Sequence, residues 1–592
     1  MRLVQSLQSD IKLRCLRGIA ICRRASEMKS SINSSIAKIV LITVFITGIA
    51  IVVPAQQSKL GKVNFPTTGS EKAKEHFERG IAALHSFWFE EALDEFRLST
   101  KADPGYLMGY WGEAMAHNHP LWSEQDLQSA RKVLENLKDT SKVTERERAY
   151  IDAVKVLYGE GDKLARDTAY SAAMEKIYLK YPEDLEAATF YSLSLLGLFR
   201  PGDKGYRNQA RAGAIALDVY EKNPNHPGAA HYIIHAFDDP EHAIIALPAA
   251  RRYAGIAPEA HHARHMPSHI FLQLGMWPEA ASSNESAWDV SDMWVKKKNL
   301  PIVNRDYHSL HWLLYVYLQQ GRFTKAEELL ALMEKVMKED SGDKSLRPGY
   351  YANNYSNMAA HFVIETEKWD LAQKFFKLSS ATDQSAGEAG GGAHAGHTPS
   401  QMQAPAGNTA RRSNANQVLP TFIRGLASAS AGASDAEASV TSLRTMRAAD
   451  KDQYRSRTIE IRELMVSAAT AANRKDYDKA VEMMKRATSL EEEMSPPSGP
   501  PALIKPSHEL FGEILLKAGR PKEASQQFAM ALLRQPNRAR SLLGAARAAA
   551  ASGDAKGSAA NYSKFVQQWK QADSHLPELR EAQDYLKQAS AR

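Results

Sequence analysis

Histidines are concentrated in one part of this sequence, and their spacing suits the binding of a metal ion. Of the 19 histidines in the 592-residue chain, eight lie within residues 225–277. His231 and His235 are four residues apart, as are His265 and His269, so each pair lies on one face of a helix. Such pairs of neutral imidazoles can chelate zinc, copper or nickel. We therefore predict that these four histidines converge on one divalent transition metal.

The other chemistry open to the chain is restricted by its cysteines. The only two, Cys15 and Cys22, lie within residues 1–55. A mature chain beginning at Gln56 would contain none, which excludes disulfides, thiolate ligands, a cysteine nucleophile and covalently attached haem. The sequence also has no phosphate-binding loop and no dinucleotide fingerprint, so no nucleotide cofactor is expected. Any catalysis or ligand binding by the mature chain would therefore use imidazole, carboxylate and hydroxyl groups.

The basic character of the chain belongs to its N-terminal end. The whole sequence has a formal charge of +7 and a pI near 9.0. Residues 1–55 contain eight basic and two acidic residues, a net charge of +6, which leaves about +1 for the rest of the chain. A nucleic-acid partner is therefore not predicted.

The same N-terminal segment is typical of a signal peptide. Its apolar run, Ile39–Val53, is shorter than a membrane-spanning helix, and it follows Lys29 and Lys38. Small residues at its end predict cleavage after Ala55 and a periplasmic or secreted product. Translation from Met28 would give a signal peptide of ordinary length. The alternative is an uncleaved anchor, the one case in which membrane contact is expected.

The elements that would position the histidines are helical repeats. In residues Ala73–Tyr106, Gly80, Ala92, Phe96 and Pro104 occupy positions 8, 20, 24 and 32. This pattern resembles the tetratricopeptide repeat, a pair of antiparallel helices with a period of about 34 residues. Small residues let the two helices approach closely, the aromatic residue fills the space between them, and the proline ends the second helix. The two histidine pairs are separated by the same 34-residue interval.

The resemblance covers most of residues 70–570 and implies an all-α fold, a right-handed superhelical solenoid of antiparallel helix pairs. Residues 383–416 are rich in glycine, alanine and serine and predict a disordered linker between two blocks of repeats. The predicted parts are a leader (1–55), an extended lead-in (56–70), an N-terminal block with a histidine-rich groove (71–382), the linker (383–416) and a C-terminal block (417–592).

The resemblance also implies where ligands bind. In tetratricopeptide repeats, positions 2, 5, 9, 12 and 13 of each first helix line a concave groove that holds protein or peptide partners. Carried onto this chain, those positions correspond to His231, His235, His262, His265, His269, His308, His311, His361, Asp238 and Asp239. Pro267 departs from the pattern, because it falls inside a first helix and leaves the direction of His265 uncertain.

Three functions are compatible with these residues. The stretches HPGAAHYIIHA, HHARHMPSHI and PPALIKPSHELFGEILLKAGRPKEA resemble segments of exported bacterial tetratricopeptide proteins without an established activity. The leading hypothesis is an exported scaffold whose groove binds a divalent transition metal, or a ligand through that metal. The alternatives are a plain peptide-binding module and a metal-dependent hydrolase or oxidase with Asp238 or Asp239 as general base.

Overall fold

The chain folds almost entirely into α-helices. The computed structural model describes residues 59–200, 205–339, 350–382, 409–495 and 497–590. Within these residues the only strands, β1 (Asn118–His119) and β2 (Glu124–Gln125), form a short antiparallel ladder. The predicted all-α fold is confirmed.

The first thirteen helices contain most of the histidine-rich region. They are α1 (Glu71–His85), α2 (Phe89–Ala102), α3 (Leu107–Ala116), α4 (Leu127–Leu134), α5 (Glu145–Leu157), α6 (Lys163–Lys180), α7 (Leu185–Leu196), α8 (Arg207–Lys222), α9 (Pro227–Ala236), α10 (Ala243–Ile256), α11 (His261–His265), α12 (Pro267–Gln273) and α13 (Trp277–Lys298). Short 3-10 helices occupy Pro120–Trp122, Glu135–Leu137 and Ile302–Asn304.

Thirteen more helices follow in the described residues. They are α14 (Tyr307–Gln319), α15 (Phe323–Glu339), α16 (Tyr350–Thr366), α17 (Leu371–Thr382), α18 (Thr409–Ala431), α19 (Asp435–Ala449), α20 (Gln453–Asn473), α21 (Tyr477–Glu492), α22 (Ser507–Lys517), α23 (Pro521–Arg534), α24 (Ala539–Ala551), α25 (Ala555–Gln568) and α26 (Pro577–Ser590). Most helices pack against the one before and the one after, as expected for stacked helix pairs.

Glycines allow the close approach of helices that the repeat pattern predicted. Gly80 of α1 and Gly112 of α3 both face the ring of Phe96 on α2, where an added Cβ would lie 2.6 and 2.3 Å from the ring. Any larger side chain would push the three helices apart. The same packing recurs around Phe528, between α22, α23 and α24. The sequence pattern therefore marks real helix contacts at both ends of the chain.

Caps define where many helices begin and end. Carboxylates accept hydrogen bonds from the first turn at Asp126, Asp162, Asp184, Asp306, Asp452, Asp476 and Asp554. Several first helices end in a left-handed glycine, with φ between 65° and 82° at Gly275, Gly321, Gly519 and Gly553. Phe87 takes that position after α1 with φ of 52°. A bulky residue is rare there, because its Cβ crowds the backbone.

Helices from the C-terminal half pack directly on the N-terminal half. The indole N–H of Trp277 donates to the carbonyl of Asn537 over 2.9 Å. The fully buried guanidinium of Arg538 pairs with Glu365 on α16 and Glu509 on α22, both at 2.7 Å. Residues Lys59–Arg592 accordingly form one compact unit.

Parts of the predicted organisation fall outside the described residues. These are the leader with its cleavage site and most of the predicted linker, residues 383–408. Helix α18 begins at Thr409, so the last residues predicted as linker are helical instead. No helix of the described residues combines the length and apolar composition needed to cross a bilayer.

Candidate metal centre

Three histidines from two neighbouring first helices meet in a first triad: His231, His235 and His262. Helix α9 supplies His231 and His235 one turn apart, and α11 supplies His262. The Nε2 atom of His231 lies 3.0 Å from that of His235 and 3.0 Å from that of His262. His231 and His262 are buried and His235 is partly exposed. One ligand atom from each residue lies within 4.8 Å of the other two.

The orientation of His231 is set by the end of α1. Its Nδ1 lies 2.7 Å from the carbonyl oxygen of His85, which can only accept, so Nδ1 carries the proton. In the neutral ring Nε2 then has a lone pair, and this lone pair is directed at the other two imidazoles of the triad. A lone pair held towards two other ring nitrogens is the arrangement that a metal ligand requires.

A second triad lies beside the first and consists of His265, His269 and His308. These come from α11, α12 and α14, and their ligand atoms again lie within 4.8 Å of one another. The Nε2 atoms of His265 and His269 are 3.1 Å apart, and all three side chains are at most 3% exposed. Pro267 interrupts the helix between them, yet Met266 keeps a right-handed helical conformation, so the four-residue spacing still brings the two rings together.

Both rings of this pair have their Nδ1 protons fixed by acceptors. Nδ1 of His265 donates to the side-chain oxygen of Asn284 over 2.6 Å, and the Asn284 amide nitrogen donates to the carbonyl of Ala280, which orients that oxygen. Nδ1 of His269 donates to the Asp238 carboxylate over 2.6 Å. When both rings are neutral, their facing Nε2 atoms both carry lone pairs. Burial lowers the pKa of His265, which favours its neutral form.

Asp238 links this triad to a distant part of the chain. Its second oxygen accepts from the amide of Gln273 over 3.1 Å, and the same amide nitrogen donates to the carbonyl of Pro497 over 2.7 Å. Pro497 belongs to the proline-rich segment between α21 and α22. Asp238 thus orients the His269 ring through its Nδ1 atom, on the side of the ring away from the triad. Gln273 connects Asp238 to the proline-rich segment.

Each triad has an aromatic residue against it. The ring of Phe87 lies 4.3 Å from that of His231, measured between centroids, and is stacked on His235 and His262. On the second triad, Trp312 lies 4.2 Å from His269 and 4.9 Å from His265. These two rings limit the access of water to the imidazoles, and the groove pattern did not include either of them.

A third group of histidines is satisfied without any ion. Glu186 accepts from Nε2 of His85 at 2.8 Å and from Nε2 of His226 at 3.2 Å. Nδ1 of His226 accepts the backbone N–H of Ala229, and Nδ1 of His85 lies 2.9 Å from the hydroxyl of Tyr232. Although burial opposes ionisation, the two imidazoles hold the pKa of Glu186 well below its usual range. The ring nitrogens of His85 and His226 thus each have a hydrogen-bond partner, and these bonds connect α1, α7 and α9.

The remaining predicted groove residues, His311, His361 and Asp239, have partners of their own. The rings of His311 and His361 face each other at 5.5 Å, and His361 also contacts Tyr315. Burial lowers the pKa of His311 to about 4 and that of His361 well below its usual value. Asp239 accepts from His242 at 2.9 Å and from the hydroxyl of Tyr206.

The structure adds two observations to the prediction. Each predicted pair of ligands has a third histidine beside it: His231 and His235 lie with His262, and His265 and His269 lie with His308. The two additional histidines were expected to line the groove, not to complete triads. The strip of predicted groove residues is also largely buried, because aromatic rings and the proline-rich segment lie over it.

Comparison with known proteins adds distant likenesses only. No protein-family model and no curated protein matches the chain.

The consecutive helix pairs and their glycine–aromatic contacts decide the architecture. The fold is of the tetratricopeptide type.

Among solved structures, the chain is similar to three other repeat proteins. Yeast Tom70 is 12% identical, with 88% of this chain and 89% of that chain covered and a TM-score of 0.32. A tetratricopeptide repeat protein from Parabacteroides merdae is 12% identical, with 56% and 98% covered and a TM-score of 0.28. The tetratricopeptide domain of P58(IPK) is 16% identical, with 69% and 100% covered and a TM-score of 0.19.

Proposed function

We propose that this protein is a transition-metal-binding repeat protein whose two histidine triads are the metal sites. The observation that supports this proposal best is the His265–His269 pair. Each ring gives its Nδ1 proton to an oxygen acceptor, so two nitrogen lone pairs face each other across 3.1 Å. Two facing lone pairs repel unless a cation lies between them, and the cation is either a proton or a metal ion.

The spacing suits a metal ion. Two imidazole nitrogens bound at about 2.0 Å to one tetrahedral ion lie about 3.3 Å apart, close to the observed 3.1 Å. A shared proton would instead require a charged imidazolium in a fully buried position. Burial lowers the pKa of His265 and opposes that charge on its ring, whereas the Asp238 carboxylate favours it on His269.

The ligand set determines which ions are expected. All six candidate donors are imidazole nitrogens, and a carboxylate in contact with them, Asp238, is engaged by His269 and Gln273. Such sites prefer copper, nickel or zinc to magnesium or calcium, which favour oxygen ligands. Ligation also requires neutral imidazole, so affinity should fall as the pH drops below about 6.5.

Metal titration of the metal-free protein tests the proposal. We expect tight binding of Cu(II), Ni(II) or Zn(II) by calorimetry, and a loss of affinity of orders of magnitude at one triad in His235→Ala and in His269→Ala. The exposed His575 provides a control. It lies between α25 and α26, and His575→Ala removes an imidazole without changing the expected metal affinity. Equally weak binding in all four proteins would refute the proposal.

The peptide-binding hypothesis finds less support at this place. The groove histidines that would contact a peptide are buried, so a peptide would first have to displace Phe87, Trp312 or the proline-rich segment. Stacked helix pairs do present extended surfaces to protein partners, and a protein partner on another face of this repeat array is consistent with the fold. The hydrolase or oxidase hypothesis assigns a general base to Asp238 or Asp239. Asp238 accepts hydrogen bonds from His269 and Gln273, and Asp239 accepts one from His242.

A further inference from the structure

The two triads are close enough to be parts of one centre. Across the boundary between them, the rings of His235 and His269 are 5.9 Å apart and those of His262 and His265 are 6.1 Å apart. Within the first triad, ring separations run from 4.7 to 6.4 Å. The six imidazoles therefore form one continuous cluster, in which the boundary is no wider than the triads themselves.

The chain also connects the triads. His262 and His265 stand three residues apart on α11, so one short helix contributes a ligand to each site. Helix α9 carries His231 and His235 of the first triad, and Asp238 follows soon after its end. Asp238 in turn accepts a hydrogen bond from His269 of the second triad. The two triads are therefore linked through α11 and through the segment that follows α9.

The charge of the cluster limits which pair of ions fits. Imidazole ligands contribute no negative charge, and Asp238 contributes one in contact with His269. Two divalent ions would bring four positive charges into a buried space, whereas two Cu(I) ions would bring two. Copper is also the divalent ion that nitrogen sites bind most strongly in the first transition series. Copper is therefore the candidate ion that can also occupy the cluster with the smaller charge, as Cu(I).

We propose that the two triads together hold a pair of copper ions as one dinuclear centre, three histidines to each copper. This inference rests on the proposed metal-binding function and specifies its metal and its nuclearity. In the oxidised form each Cu(II) has one unpaired electron, and two such ions in contact through one cluster interact magnetically.

The test combines copper analysis with electron paramagnetic resonance of the full chain loaded with copper and oxidised to Cu(II). We expect two coppers per chain, with a half-field transition or an integrated intensity clearly below two spins. His308→Ala removes a ligand of the second triad and His235→Ala one of the first. Each variant should bind one copper per chain and give the ordinary one-spin spectrum of an isolated Cu(II). Thermal unfolding of the metal-free variants shows whether they remain folded, and either variant alone is sufficient.

The outcomes separate this inference from the function on which it rests. Two coppers per chain with the full intensity of two isolated ions would overturn the dinuclear centre and leave metal binding intact. One metal ion per chain in the unaltered protein would do the same. Absence of binding by copper, nickel and zinc would overturn both.

Discussion

Asp238 offers a sharp test of how the second triad is organised. Its carboxylate is buried, accepts from Nδ1 of His269 over 2.6 Å with one oxygen and accepts from Gln273 with the other. Asp238→Asn keeps the size of the side chain and replaces one acceptor by an N–H2 donor. Whichever way the amide is turned, a donor then faces either His269 or Gln273, and the negative charge beside His269 is lost.

The expected effect is a weaker metal site in a protein that stays folded. Loss of an acceptor behind a metal-bound imidazole typically reduces metal affinity 10- to 100-fold, about 1.4–2.7 kcal/mol. The effect should be near the upper end, because the lost hydrogen bond is short, charge-assisted and buried. Asp238 contacts a ring of the second triad, so the affinity of that triad should fall most.

Competition titration against a chelator of known affinity at pH 7 measures both sites. The neighbouring residue supplies a matched control, since Asp239→Asn alters an equally buried carboxylate that is bound to His242 and Tyr206. We expect Asp239→Asn to change thermal stability without changing metal affinity. If Asp238→Asn binds metal as tightly as the unaltered protein, or if both variants lose affinity equally, Asp238 does not orient His269.

Three further outcomes are expected. Gly112→Ala should destabilise the protein by about 1–3 kcal/mol in urea unfolding, because its Cβ would lie 2.3 Å from Phe96, and metal affinity should be unchanged. Burial lowers the pKa of His311 to about 4 in the folded state, compared with about 6.5 in the unfolded chain. Between these pH values the unfolded chain binds more protons than the folded chain. The free energy of unfolding should therefore fall as the pH drops from 6.5 to 4. This contribution is up to about 3 kcal/mol, and a pH series of unfolding curves that is equally steep in His311→Phe would contradict it. Phe87→Gly relieves about 1 kcal/mol of left-handed backbone strain but also removes a buried ring. The melting temperature should therefore fall, and metal release to a chelator should become faster. Unchanged release would show that Phe87 does not shield the triad.

The helices and the histidine pairs were predictable because they depend on local spacing. A four-residue interval places His231 beside His235 whatever surrounds them, and small residues opposite Phe96 predict where helices approach. Even the interruption at Pro267 did not separate His265 from His269, since one residue in helical conformation bridges the break.

The grouping of the histidines was not predictable, because it depends on residues far away in sequence. The acceptor that orients His231 is a backbone carbonyl 146 residues earlier in the chain, and backbone carbonyls leave no mark on a sequence pattern. The segment behind Asp238 includes Pro497, which by composition looked like a break between repeats. Phe87 occupies a position where other repeats have glycine, and that departure was the one signal that could have identified it.

The burial of the six imidazoles has a kinetic consequence for any ion that they hold. Five of them are at most 3% exposed and His235 is partly exposed, so an ion held by the buried second triad exchanges through local opening of α11, α12 or the segments packed on them. Exchange with ions in the surroundings would then be slow compared with binding to a surface site. Under these conditions the ion found in the protein is the one present while the chain was folding, and its identity records the place and moment of folding more than the equilibrium affinity of the site.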